Sequence, residues 1–218
     1  MRAHETSGEA GSQAQGAAPQ PGALAIVFRA RWLPHAAVSA LLLVPCFWQS
    51  RIQAGDLQSH VYNAWLACEI QKGSVEGLTL ATQRTNVLFD YWLVWLLRLW
   101  GPTAAQRIAV GAAVLIFAWG AFALVSRVNG RRPWHLTPCI AVLAYGWVFH
   151  AGLFNFYISL GLCLWALALL WRRKPVWMAT AACLLGVAWL AHALPVVWAA
   201  GAALYFKLAE RFPTRVRR

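Results

Sequence analysis

The chain has 218 residues, 60% of them hydrophobic and 12% charged, and a formal net charge of +12. Soluble domains carry about a quarter charged residues, so this composition argues against an ordinary soluble domain and for helices that span a bilayer. The basic residues lie between apolar runs and at the C-terminus, which fits loop charge bias and anionic lipid better than nucleic acid.

In chain order, residues 1–30 read as a polar, disordered N-terminus, rich at first in Gly, Ala, Gln, Ser and Pro. Its charged start lies too far from an apolar core for a cleaved signal peptide. Residues 31–208 read as one membrane domain, and 209–218 as a basic tail. Arg29 and Arg31 precede a first span, Trp32 to Trp48, and suggest a cytoplasmic N-terminus.

Residues 51–85 form the long polar connection. Within it Gln58 to Gln71 has the periodicity of an amphipathic surface helix. Val61, Tyr62, Trp65, Leu66 and Ile70 share one face; Asp56, His60 and Asn63 share another. Such a helix lies along the membrane, aromatic side down, and Lys72-Gly73-Ser74 ends it.

A short apolar run, Val87 to Trp100, stops at the turn Gly101-Pro102-Thr103. Ala104 to Val125 is the cleanest span. The basic stretch from Arg127 leads to spans over Trp134 to Phe149 and Leu153 to Trp171, then to Arg172-Arg173-Lys174. Val176 to Phe206 is too long for one span of about 20 residues, and Pro195 divides it into two short helices or a kinked pair around Ala191-His192-Ala193-Leu194-Pro195. The fold class is therefore all-α, a polytopic transmembrane bundle of six or seven spans with one surface helix after the first. Tryptophans near span ends suit an interfacial belt. The five cysteines form no C-x-x-C pair and read as small apolar residues.

Topology is in tension with charge. If every run crosses once, the basic loops at 127–132 and 172–174 fall outside with the long loop. Either the run 87–100 is re-entrant, or the whole orientation inverts.

The 7 acids are scarce beside 19 basic residues, and none lies between Tyr91 and Ala209. Carboxylates near a membrane therefore attract attention. Asp56 suits a helix N-cap or a reaction centre. His60, four residues on, suits a surface hydrogen bond or a ligand. Asp90 opens a helix, where an acid complements the dipole, pairs an Arg, or contacts substrate. His150 and His192 lie near or within apolar runs, where function is the first expectation, though neutral His bonded between helices is commoner. Asn155 and Ser159 read as interhelical hydrogen-bonding glue. There is no Gly-rich phosphate loop, H-E-x-x-H or G-x-S-x-G.

One span, a loop with Asp56 near its start, Tyr62 and a surface helix ending at Gly73 are followed by Phe89-Asp90-Tyr91-Trp92-Leu93, Leu99-Trp100-Gly101 and Ala105-Gln106-Arg107-Ile108. This order resembles the N-terminal part of the GT-C membrane glycosyltransferases of the protein mannosyltransferase and aminoarabinose-transferase type, over roughly residues 32–130. The resemblance implies a bacterial inner-membrane, multi-pass protein that transfers a sugar from a polyprenyl-phosphate carrier on the non-cytoplasmic face, with loop 51–85 outside. It places Asp56 at the family's loop Asp, as general base or beside a divalent Mg or Mn. His60 would assist catalysis. Arg51, Asn63, Lys72, Arg84 and Asp90 would contact substrate. The family commonly follows its Asp with a second acid, where this chain has Leu57. Family members are longer, so the chain would correspond to an N-terminal portion or a shortened relative. The competing expectation is a non-enzymatic multi-pass protein, a transport component or scaffold subunit, with His150, Asn155 and His192 converging near mid-membrane.

Overall fold

The structure, a computed structural model, describes residues 21–49, 51–172 and 174–211, with side chains from residue 32. Within these bounds it is all-helical: α1 (Pro21–Trp48), α2 (Leu57–Lys72), α3 (Leu88–Asn129), α4 (Thr137–Ala144), α5 (Trp147–His150), α6 (Phe154–Leu170), α7 (Pro175–Ala191) and α8 (Ala193–Ala209). Among the described residues one helix, α3, is long and apolar enough to cross a membrane. The apolar helices α6, α7 and α8 have 17 residues each.

Two boundaries differ from expectation. Residues 21–30 are not a polar coil: the helix starts at Pro21, where proline suits a first turn and the apolar run Leu24 to Phe28 continues it. Residues 1–20 and 212–218 lie outside the described residues. The expected span 134–149 is instead a 3-10 turn, Trp134–Leu136, followed by α4 and the four-residue α5. Gly146, with extended backbone (ψ −166°), separates the two. As expected, the apolar stretch 176–206 forms two helices that part within 191–195; the break falls at His192 (φ −165°, ψ 131°). Pro195 sits in the first turn of α8, where its missing N–H costs nothing.

Gly101 (φ 72°, ψ 173°) breaks α3 into two arms, 88–100 and 102–129. The first arm runs parallel to α2, with contacts His60–Asp90, Cys68–Val94 and Gln71–Arg98. The second arm runs antiparallel to residues 39–49: Trp119 bonds Ser39, and Arg107 bonds the Gln49 carbonyl. It also runs parallel to α6: Phe117 stacks on Tyr157 (4.9 Å), Gly120 meets Gly161, and Leu124 shares a cavity wall with Leu167 and Leu170.

Helix α6 is the central strut, with buried faces toward α3, α7 and α8. Small residues let it come close. A Cβ built on Gly120 would lie 2.6 Å from the Gly161 carbonyl oxygen, and one on Gly161 would lie 2.9 Å from Phe117 backbone. Around Cys163, Leu167, Ala188 and Ala199 a second core seals α6, α7 and α8 together.

This connectivity sorts the chain ends of the helices. Residues 54–57, 85–87, 150–152 and 192 meet at one end of Ser39–Arg211. Arg127, Arg172 and Lys207 gather at the other, where Arg127 feels the charge of Arg172 and Trp171 packs on Phe206. The arm 88–100 starts and finishes on the first side. The five cysteines are free; Cys46, Cys68 and Cys163 are buried, as expected of small apolar residues, while Cys139 and Cys183 are exposed.

Gly120→Ala should push α3 off α6 and cost about 1–3 kcal/mol, read as a lower unfolding temperature in detergent. Gly186→Ala, whose added Cβ meets nothing within 4 Å, should leave that temperature unchanged or slightly higher.

Candidate functional site

The loop before α2 is held from below. Gly55 N–H donates to the His150 carbonyl (2.8 Å) and Asp56 N–H to the Ala151 carbonyl (3.1 Å). These two carbonyls belong to the last turn of α5 and would otherwise lack partners. Gly152 makes the approach possible. It has φ 78°, and a Cβ there would lie 2.3 Å from Asp56 N. The backbone of Asp56 is thereby fixed over α5.

Asp56 occupies the N-cap position of α2, yet its side chain makes no capping hydrogen bond. The carboxylate is about half exposed and turns toward His60, with Oδ2 3.7 Å from Nε2. At the far end of α2 the stop is as expected. Gly73 is left-handed (φ 74°), and the Gly73 and Ser74 N–H groups return to Ile70 and Glu69 carbonyls, the two-bond glycine cap. The protein-facing stripe of α2 is Leu57, Ala64 and Cys68; Tyr62 and Trp65 point outward.

His60 is the junction. Its Nδ1 lies 2.6 Å from Asp90 Oδ1, its side chain is 14% exposed, and its ring edge meets Phe89 at 5.5 Å. Asp90 is held in turn: Asn155 Nδ2 donates to Asp90 Oδ2 (2.9 Å) and to the Asn86 carbonyl (3.2 Å). Asn155 Oδ1 accepts the Phe89 N–H (2.8 Å). With Asp90 on Nδ1–H, neutral His60 leaves Nε2 as its basic nitrogen, beside Asp56. Burial lowers the pKa of His60, but the hydrogen bond and charge of Asp90 and the charge of Asp56 outweigh it, so the net shift is upward from 6.5.

A cavity of about 390 Å³ opens over this group. Asp56, His60, Asn155 and His192 give it polar lining; Trp147, Leu153, Phe156 and Leu194 give it apolar lining. Trp147 is 76% exposed and Leu194 60%, so the apolar lining reaches the outer surface. His192 is rigidly placed. Ser159 Oγ–H donates to its carbonyl (2.7 Å), and its Nδ1 accepts the Leu194 N–H (3.2 Å), capping α8. That bond puts the proton of neutral His192 on Nε2, the nitrogen left for a ligand.

The structure thus brings Asp56, His60 and Asp90 together and adds Asn155 and His192, which the sequence presented as interhelical glue and as a histidine bonded between helices, converging with His150 in the non-enzymatic alternative. Asn63, Arg51, Lys72 and Arg84 are exposed and none lines the cavity. Lys72 instead pairs with Glu69 at 2.7 Å. The His150 side chain is exposed and contributes its carbonyl alone. Among the described residues no three His, Cys, Asp or Glu side chains form a metal-binding group. Comparison with protein-family models, curated proteins and solved structures finds no match to this chain.

Because the folded protein raises the His60 pKa, the stability it contributes is complete below about pH 6.5 and is lost as pH rises through the folded value. Unfolding temperature should therefore fall between pH 6 and pH 8, and Asp90→Asn should flatten that dependence. Separately, His192→Ala should cost about 1 kcal/mol by uncapping α8, while His192→Asn, a good cap, should cost little. Thermal melts of both variants check this.

Proposed function

We propose that the chain is a polytopic membrane transferase that acts on a lipid-linked substrate, with His60 as its general base. The observation that carries this reading is His60 held between two carboxylates on the wall of a cavity with an apolar, outward-reaching lining. A buried Asp–His couple is a recurrent way to accept a proton from a hydroxyl.

Membrane embedding draws support from the surface. Leu41, Val142, Leu143, Val176, Val197 and Tyr205 are all strongly exposed on the helices, an apolar extent that soluble monomers rarely show. Helices of 17 residues reach about 26 Å, near the hydrocarbon thickness. With 88–100 returning to its own side, Arg127, Arg172 and Lys207 share one face, which makes that face cytoplasmic under the positive-inside bias. The cavity then opens outside, the side on which the GT-C family works. Tyr62, Trp65, Tyr91 and Trp95, all exposed, supply an interfacial belt beside it.

In this reading the acceptor hydroxyl enters against His60 Nε2 and gives up its proton as its oxygen attacks the sugar's anomeric carbon. The bond from that carbon to the carrier phosphate breaks, and the electron pair leaves on phosphate. Asp90 and Asp56 stabilise the imidazolium that forms. Asp56, the residue that the GT-C resemblance names as base, becomes a partner of the base. His192 Nε2–H is available to hydrogen-bond a substrate oxygen. A magnesium-class ion needs only one or two protein carboxylates and completes its shell with phosphate and water; exposed Asp56 suits that use, and such an ion would neutralise the leaving phosphate. A transport component would gather His150 with Asn155 and His192 at mid-helix, and the exposed His150 side chain speaks against it.

The test is transfer from a panel of polyprenyl-phosphate sugars by the protein in vesicles, with membrane extract as acceptor. Wild type should turn over with an acid limb above pH 6.5. His60→Ala should lose about 10²–10⁴-fold, and Asp90→Asn should move the limb downward. Robust turnover by His60→Ala would remove the base; no turnover of any donor by wild type would remove the transferase. A single cysteine placed at Ser74 should be labelled from outside alone.

A further inference from the structure

The basic end of the helices holds a second, larger cavity of about 500 Å³, which the transfer chemistry does not use. Its walls are apolar, from Leu124 of α3, Leu167 and Leu170 of α6 and Phe206 of α8. Leu124 and Leu170 pack directly on the core of Cys163, Leu167, Ala188 and Ala199, so the cavity lies against packed helices rather than slack loops.

Its rim is charged. Lys207 and Glu210 line the mouth with Trp171, whose ring meets Phe206 at 5.4 Å. Next to Trp171, Arg172 lies over the Trp177 ring at 4.5 Å, close enough to Arg127 for the two guanidiniums to repel. Among the described residues none of Arg127, Arg172 and Lys207 belongs to an ion pair. Against the Glu210 carboxylate stand Lys207 at the mouth and Arg172 and Arg127 beside it, so the apolar slot lies under net positive charge, which matches an amphiphile with an anionic head. The face on which it opens is the one the charge bias makes cytoplasmic, where anionic phospholipid is attracted to basic side chains.

We infer that this cleft binds an anionic diacyl phospholipid, one acyl chain between α3, α6 and α8 and its phosphate against Arg172 and Lys207. This rests on the membrane embedding proposed above and is independent of the transfer reaction. The cavity also lies within the ordinary size range of ligand sites. The chain fills apolar volume that water would occupy at a cost, and the phosphate relieves the repulsion between Arg127 and Arg172.

The test uses the full chain, first floated with vesicles and then delipidated in detergent and offered equal phosphatidylglycerol and phosphatidylcholine. Native mass spectrometry should show one retained phosphatidylglycerol, preferred roughly thirtyfold, the order expected for two cations near an anionic head. Arg172→Gln with Lys207→Gln should abolish the preference while circular dichroism stays helical. Leu170→Trp, which fills the cavity, should lose lipid with the charges intact. Equal retention of the two lipids, or a preference that survives the double substitution, would overturn the site. Displacement of phosphatidylglycerol by added polyprenyl phosphate at equal concentration would also overturn it, making the cleft a carrier site. Failure to float with vesicles would take the membrane reading and the site together, whereas flotation without preference would take the site alone.

Discussion

Asn155 is the group on which the rest of the structure leans. It is 2% exposed, and a buried amide without partners costs several kcal/mol in an apolar setting. All of its bonding goes to one place, the start of α3: the Phe89 N–H, the Asn86 carbonyl and the Asp90 carboxylate. Asn86 takes a left-handed conformation there (φ 60°), the kind of local strain that persists only where surrounding contacts fix it. Through this one side chain the central helix decides where Asp90 points, and Asp90 decides which nitrogen of His60 is free.

A second constraint meets the first from the other side. The turn at Gly152 lies two residues before Phe154 and carries Asp56 on its backbone. The N-terminal end of α6 therefore places both carboxylates, one through an amide side chain and one through main-chain hydrogen bonds. Asp56 and Asp90 reach His60 from separate elements that share a single reference frame. Phe89 stacked on Phe154 at 4.9 Å keeps that frame dry on its inner face, which strengthens the electrostatic coupling among the three groups.

Much of the architecture was legible in the sequence, because helix signals are local. Helix α2 begins and ends within one residue of its periodicity, and Gly73 reads directly as its stop. Gly101-Pro102 marks a real break. The run 134–149 misled because hydrophobicity reports burial in apolar surroundings and says little about a kink at Tyr145 and Gly146. Pro195 marked the division of 176–206 to within three residues; the proline itself is tolerated in the first turn of α8, and the residue that breaks the helix, the extended His192, carries no propensity signal. The site was half legible. Asp56 and His60 share a helical spacing, but Asp90 joins them across 30 residues and Asn155 across 65, and a periodicity cannot reveal such a pairing. The exposed cations Arg51, Lys72 and Arg84 looked like phosphate contacts because they share a loop with Asp56, while the fold turns them away from the cavity.

The closing bonds of that loop have a consequence for biogenesis. Thr85 Oγ–H donates to the Trp189 carbonyl and Val87 N–H to the Leu190 carbonyl, so the entry to α3 is tied to the last turn of α7, over 100 residues later. Contacts this distant in sequence form late. When residues 56–90 leave the ribosome, neither Asn155 nor α7 exists to receive them. Asp56, His60 and Asp90 must pass through synthesis as separate polar groups. They become a unit once the second half of the chain has been made and packed, so an unfinished chain carries the residues of the site without its geometry.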